Sequence, residues 1–302
     1  MSAAVPEEMR IFDGGAANDI GGPDLTFLAD EAARRALGRA GTPAVPTVRH
    51  IIRRRLPFMG LCDRICTKLL MLLVRRQVLR ISGLEHVLTV QPFILALNHS
   101  TRREALVVPT VLVFHRGGCL IHFWSDWMFR LIPGLAFILR RSGTIVVPTK
   151  RSRCRAANLL RPLFQPSEPA LEQARAHLAA RRAIGVFPEG TVNRDPQRLL
   201  PGRHGAARLS LEAAVPVIPV GIRFPGRSAG ESAIPEGAAM EIHIGAPLVP
   251  PALASGRANR AEVATWHAEI MSAIARLSGK TWQPRRSVSF APDSPAPTAD
   301  AA

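Results

Sequence analysis

Tyrosine is absent from this 302-residue sequence, and Phe and Trp bring the aromatic share to only 5%. Proteins that hold single-stranded nucleic acid interleave basic and aromatic side chains so that bases can stack, and that interleaving is missing. Cysteine is scarce too. Cys62, Cys66, Cys119 and Cys154 form no Cys-x-x-Cys pair, and no histidine spacing completes a zinc site. They read as reduced packing residues of a cytoplasmic protein. No uncharged apolar run reaches the ~18 residues that a simple spanning helix needs. The first ten residues carry Glu7 and Glu8 where a secretory signal would have its apolar core. Acidic residues are few, 23 against 39 Lys and Arg, for a net charge of +16. Such an excess attracts polyanions, with nucleic acid and anionic lipid as the two candidates.

Apolar residues, by contrast, are plentiful: 47% of the chain is in the hydrophobic set, enough for a core of ordinary size. One domain with extensions fits that length better than two full domains. Residues 1–46, rich in Ala, Gly, Pro and Asp, read as a flexible extension. Residues 283–302, with Pro284, Pro292, Pro295 and Pro297, read as a disordered tail. Between 47 and 80 the basic residues Arg49, Arg53, Arg54, Arg55, Arg64, Lys68, Arg75, Arg76 and Arg80 face Asp63 alone. Leu61, Ile65, Leu69, Leu70, Leu72, Leu73 and Val74 lie among them at helical spacing. A basic helix with an apolar face either packs on a domain with its arginines solvated or lies in a lipid interface with them on headgroups.

The main domain is expected over 81–282. Strands are expected at 91–97, 118–124, 143–147, 183–187, 215–223 and 240–244. Helices are expected at 101–115, at 151–181 in two pieces, at 202–214 and at 261–278. This alternation predicts an α/β fold with a mixed, mainly parallel sheet flanked by helices, preceded by the basic amphipathic helical segment.

Two segments bear chemistry on their own terms. Phe93-Ile94-Leu95-Ala96-Leu97-Asn98-His99-Ser100-Thr101-Arg102-Arg103-Glu104 runs off the end of a strand, with Ser100 or Thr101 able to cap the next helix. Glu104 then falls in that helix's early turns and can fold back toward His99, fixing the imidazole tautomer and supporting its charged form. That is two-thirds of a Ser-His-Asp triad, with the nucleophile left to the substrate. Taken alone, such a spacing more often marks a helix cap with a solvated glutamate. Val186-Phe187-Pro188-Glu189-Gly190-Thr191 adds a polar tight turn straight after a buried strand, where side chains meet a cleft. Gly134-Leu135-Ala136-Phe137-Ile138-Leu139-Arg140 delivers an arginine after an apolar stretch. Val215-Pro216-Val217-Ile218-Pro219-Val220-Gly221-Ile222 reads as an edge strand bounded by prolines. A Gly-x-Ser-x-Gly elbow is missing, which counts against a serine hydrolase.

In order and spacing these four segments resemble the blocks of the glycerolipid acyltransferases, of the lysophosphatidic acid acyltransferase type. The family pattern is Asn-His-x-Ser-x-x-Asp, Gly-x-x-Phe-Ile-x-Arg, Phe-Pro-Glu-Gly-Thr-Arg, then a strand rich in Val and Pro. The resemblance covers roughly residues 81–247 and implies that 81–282 is a catalytic domain. It implies His99 as general base held by Glu104, Arg140 at the acceptor's anionic headgroup, and Glu189, Gly190 and Thr191 shaping the acceptor site. It further implies an acyl-CoA or acyl carrier protein thioester as donor and a lysophospholipid, 1-acyl-glycerol 3-phosphate, as acceptor. No metal or redox cofactor is expected, and nucleic acid is not an expected partner. The 47–80 segment becomes an anchor to an anionic membrane, peripheral or monotopic, on its cytoplasmic side. Three positions depart from the pattern: Glu104 stands for Asp, Thr101 for Ser, and Val192 for the Arg of the third block. Valine cannot fork onto phosphate oxygens. Arg194, Arg203 or His204 could replace the missing arginine, and a lyso-aminolipid or glycerol 3-phosphate is the alternative acceptor.

Overall fold

A computed structural model describes residues 45–88, 91–148, 158–166, 168–225, 233–253 and 257–284. The expected terminal extensions lie outside these residues, apart from 45–46 and 283–284. Two helices, α1 (Val48–Arg53) and α2 (Leu61–Val74), precede strand β1 (Val78–Ser82). There follow α3 (Glu85–Leu88), β2 (Ile94–Leu97), α4 (Glu104–His115), β3 (Ile121–Asp126), α5 (Pro133–Arg141) and β4 (Ile145–Val147). The chain closes with α6 (Ala170–Ala179), β5 (Ala183–Val186), α7 (Gly205–Ala213), β6 (Val217–Arg223), β7 (Met240–Ile244) and α8 (Arg260–Ser278).

The seven strands form one sheet in the order β1-β7-β6-β2-β5-β3-β4. Every pairing is parallel except β6 with β7, so the expected mixed, mainly parallel α/β architecture is what forms. Side chains alternate across a strand, and β2 uses this fully: Leu95 and Leu97 enter one apolar cluster, Ile94 and Ala96 the other. The first cluster is roofed by α1, α2 and α4, the second by α6, α7 and α8. A sheet buried on both faces explains why its central strands read as continuous apolar runs.

Three expectations need correction. β6 is not an edge strand; it lies between β7 and β2 with Val217, Ile218, Val220 and Ile222 fully buried. Its prolines do not bound it either, since Pro219 falls inside. Proline is tolerated there because odd-numbered residues of β6 direct their backbone groups toward the β7 side, where the ladder is interrupted. Val217 exchanges hydrogen bonds with Leu248, Pro219 accepts only from Gly245 N–H at 2.8 Å, and the regular pairing begins at Val220. Gly221 belongs to the same face, and a Cβ on it would stand 2.1 Å from the Leu277 carbonyl carbon. Glycine is what lets the end of α8 lie directly on the strand.

The second correction concerns α4, which starts at Glu104 rather than 101 and has no side-chain cap at its first turn. The hydroxyls of Ser100 and Thr101 do not cap the helix. Their backbone N–H groups are instead taken by the Glu104 carboxylate, at 2.7 and 3.0 Å. Third, the helical segment ends at Val74, and β1 begins at Val78, ahead of the expected boundary at 81.

Within α2 the apolar residues divide between two faces. Met71 and Val74 enter the core, whereas Leu61, Ile65, Leu69 and Leu73, at successive intervals of four, are 73, 52, 60 and 67% exposed. Val48 and Ile52 of α1 are exposed as well. The cations also divide. Arg54 donates to the carbonyls of Phe114 and His115 at the end of α4 (3.1 and 2.7 Å), Arg64 to Leu56 O (3.0 Å) and Lys68 to Ile52 O (2.6 Å). Arg49, Arg53 and Arg55 remain on the exposed surface.

Candidate active site

The site is built where β2 ends. Asn98 continues the strand with its side chain: Ile222 N–H donates to its Oδ1 at 2.7 Å, and its Nδ2 donates to Ile222 O at 3.1 Å. That fixes the point at which the chain leaves the sheet. His99 follows, with its backbone held on both sides. His99 N–H donates to Glu189 Oε1 at 2.9 Å, and His99 O accepts from Asn193 N–H at 2.7 Å. Its ring stacks on Phe187, centroids 4.1 Å apart. Phe187 in turn leans on Phe123, which lies over Gly185 so closely that a Cβ there would meet its ring at 2.5 Å.

Nδ1 of His99 is 3.2 Å from Glu104 Oε2. The carboxylate is fully buried, while the imidazole keeps 14% of its surface. Burial pushes the Glu104 pKa up; the contact with His99 and the amides of Ser100 and Thr101 pull it back. With Nδ1 committed to this carboxylate, Nε2 is the nitrogen left to meet a substrate.

The open side of His99 faces a cleft of about 2210 Å³. Its apolar flank comes from α2 and α4, through residues such as Cys66, Leu70, Leu106 and Val113. Its other walls carry Arg140, Arg203, Gly190, Thr191 and Val192. Of the residues expected from sequence, His99 and Glu104 meet directly, and Arg140, Gly190 and Thr191 border the same cleft. Glu189 does something else. Its buried carboxylate turns inward and accepts from His99 N–H (2.9 Å), Asn193 Nδ2 (2.7 Å) and Leu200 N–H (2.9 Å). It clamps the loop that carries His99 to the turn beside it. Gly190 has φ +69°, a left-handed conformation that favours glycine, and a Cβ there would lie 2.7 Å from Arg203 Nε and push that side chain aside.

The candidates for the arginine missing at Val192 are separated by their surroundings. Arg194 is ion-paired with Glu236. The Arg203 guanidinium lies over Gly190 on the cleft wall and has no acidic partner among the described residues. Two further residues escaped sequence reasoning. Asn193 bridges Glu189 and Arg198 O. Lys280, buried beyond the end of α8, reaches Ser100 Oγ at 2.8 Å. A lone Lys after a Gly, some 180 positions from the motif it touches, leaves no local signal.

Residues 78–223 match the family model described as Acyltransferase. This stretch is an acyltransferase-family domain. The matched span runs from the first residue of β1 to the last of β6, so α1, α2, β7 and α8 lie outside it. Among solved structures, the chain is similar to one titled the 1-acyl-sn-glycerophosphate (LPA) acyltransferase, PlsC, from Thermotoga maritima. The two share 17% identity with a TM-score of 0.47, over 85% of this chain and 96% of that one. A search of curated proteins returns no match.

The clamp generates a prediction. Glu189→Ala strands three donors, each charge-assisted bond being worth about 1.5–3 kcal/mol. The melting temperature should fall by about 10 °C, and the catalytic rate at least tenfold as His99 loses its backbone anchor. Thermal denaturation and a turnover assay on the same sample check both; an unchanged melting point would remove the clamp from this account.

Proposed function

We propose that the chain transfers a fatty acyl group from an acyl-CoA or acyl carrier protein thioester to the free hydroxyl of a lysophospholipid, 1-acyl-glycerol 3-phosphate, in phospholipid biosynthesis. The observation that carries this reading is the His99–Glu104 contact of 3.2 Å at the wall of a cleft with one apolar flank and with Arg140 and Arg203 on its other walls. Apolar walls suit an acyl chain, and guanidinium groups suit a phosphate.

In this reading Nε2 of His99 takes the proton of the acceptor hydroxyl as its oxygen attacks the thioester carbonyl carbon. Glu104, held by two amides, keeps the imidazole oriented and supports its positive charge in the transition state. Collapse breaks the C–S bond, and the imidazolium returns its proton to the departing thiolate. No acyl-enzyme is needed. Arg140 and Arg203 are the proposed phosphate readers, with Arg203 standing in for the arginine that Val192 lacks.

The reading extends to the membrane. Among the described residues no helix is long and apolar enough to cross a bilayer. What supports attachment is the exposed stripe Leu61, Ile65, Leu69 and Leu73, flanked on α1 and the turn after it by Arg49, Arg53 and Arg55. The cytoplasmic leaflet, with its anionic lipids, is the surface we assign to it.

Three measurements test these statements. His99→Ala should abolish nearly all transfer of a labelled acyl group from acyl-CoA to lysophosphatidic acid, and Glu104→Gln should reduce it about a hundredfold. More than a tenth of the rate left in His99→Ala would sink the dyad. Arg203→Ala should lower kcat/KM for lysophosphatidic acid about ten- to hundredfold and leave an uncharged monoacylglycerol nearly unaffected, while Arg194→Ala stays within a few fold. A loss confined to Arg194→Ala would make Arg194 the phosphate reader instead. For attachment, co-sedimentation with vesicles containing phosphatidylserine should drop when Arg49, Arg53 and Arg55 become Gln, and again when Ile65 and Leu69 become Ser. Binding indifferent to both sets returns α2 to the role of an ordinary packed helix.

A further inference from the structure

Next to the dyad, and not among the residues that line the cleft, sits a buried ammonium group, that of Lys280. Helix α8 ends at Gly279 in the left-handed conformation (φ 71°). Lys280 N–H then bonds Ala275 O at 3.1 Å, and the chain runs beside 197–199, Thr281 N–H donating to Gln197 O (2.8 Å) and Leu199 N–H to Thr281 O (2.9 Å). This aims the Lys280 side chain inward, where it is 7% exposed. Nζ donates to Ser100 Oγ at 2.8 Å and to Asp195 O at 2.7 Å. Ser100, fully buried, is the residue whose own N–H reaches Glu104 at 2.7 Å.

Burying a lysine is costly unless charge opposes it. Desolvation pushes the Lys280 pKa down, and the carboxylates of Glu189, Glu104 and Asp195 push it up. Those are the charged groups around it from the turn after β5, from α4 and from the loop that follows, with His99 completing the set through Glu104. Two buried carboxylates, Glu104 and Glu189, thus lie within electrostatic reach of the buried ammonium, whose direct bonds go to Ser100 and Asp195.

We propose that Lys280 is a positioning residue for the reaction, holding the 98–104 loop, and with it the Ser100 amide that Glu104 accepts, while its buried positive charge favours the Glu104 carboxylate over the acid. The inference rests on the reading of His99 and Glu104 as the reacting pair. It assigns a role to a segment outside the 78–223 family span.

Lys280→Gln retains an amide donor and removes the charge. Without a nearby cation the buried carboxylate of Glu104 holds its proton to higher pH, so the acid limb of kcat/KM should move up by about one pH unit. Turnover at pH 7 should fall several-fold, with KM for acyl-CoA little changed. Ser100→Ala keeps the ammonium and cuts its link to the loop, so turnover should fall at every pH while the limb stays in place. Both variants are assayed in the full chain with acyl-CoA and lysophosphatidic acid in vesicles. A limb that stays put in Lys280→Gln, or moves equally in Ser100→Ala, overturns the electrostatic role and leaves Lys280 as packing. Should Lys280→Gln not fold, Ser100→Ala still decides: a full rate overturns the proposal, and a uniform loss supports it. Activity surviving His99→Ala would bring down the dyad, and the lysine's role with it. A dead His99→Ala beside an unmoved limb brings down the lysine's role alone.

Discussion

A carboxylate cut off from water has to be met by hydrogens from its own protein, and two such groups organise everything around His99. Glu104 takes the amides of Ser100 and Thr101 and the imidazole; Glu189 takes the amides of His99 and Leu200 and the side chain of Asn193. These bonds settle the backbone after β2 and the turn after β5 together. They serve double duty: the hydrogen bonds that satisfy buried charge also fix where an imidazole points. A loop that needed only to connect β2 to α4 would have no use for either acid.

The sheet frame makes this possible. β2 and β5 are parallel neighbours, so the segments at their carboxyl ends emerge side by side, which is where open α/β sheets collect their working residues. Asn98 locks the first of them to β6, and the aromatic pile of His99, Phe187 and Phe123 over Gly185 locks the second. Residues far apart in sequence therefore meet with little freedom.

How much of this the sequence reveals depends on whether the signal is local. The strand–turn–helix around His99 and the polar turn around Glu189 carry their meaning within a dozen residues, and the alternation of apolar runs gives the α/β class. Direction is harder to read. Glu189 looks from its motif like a group facing substrate, yet its carboxylate points inward, because nothing in Phe-Pro-Glu-Gly-Thr reports that His99 and Leu200 will bring N–H groups to it. The proline in β6 suggested an edge; its tolerance comes from a break in the β7 ladder around Gly245 that lies 26 residues away in the chain. The α2 stripe was visible, but which of its leucines the core would take was not. Lys280 is the extreme case, since only the finished fold brings it to Ser100.

The outermost pairing of the sheet has a consequence for how the molecule comes into being. Among the described residues β1 pairs only with β7, Ile81 opposite Ile242, so an early strand waits for one made near the end. During synthesis α1, α2 and β1 leave the ribosome long before their partner exists, and such non-local closure is slow. Until residue 244 has emerged, β1 lacks the strand it pairs with and stands beside a helix whose outer stripe is apolar. The ammonium at position 280 arrives later still. The chain therefore has α1 and α2 made well before the surroundings of His99 are complete, an order of events dictated by topology.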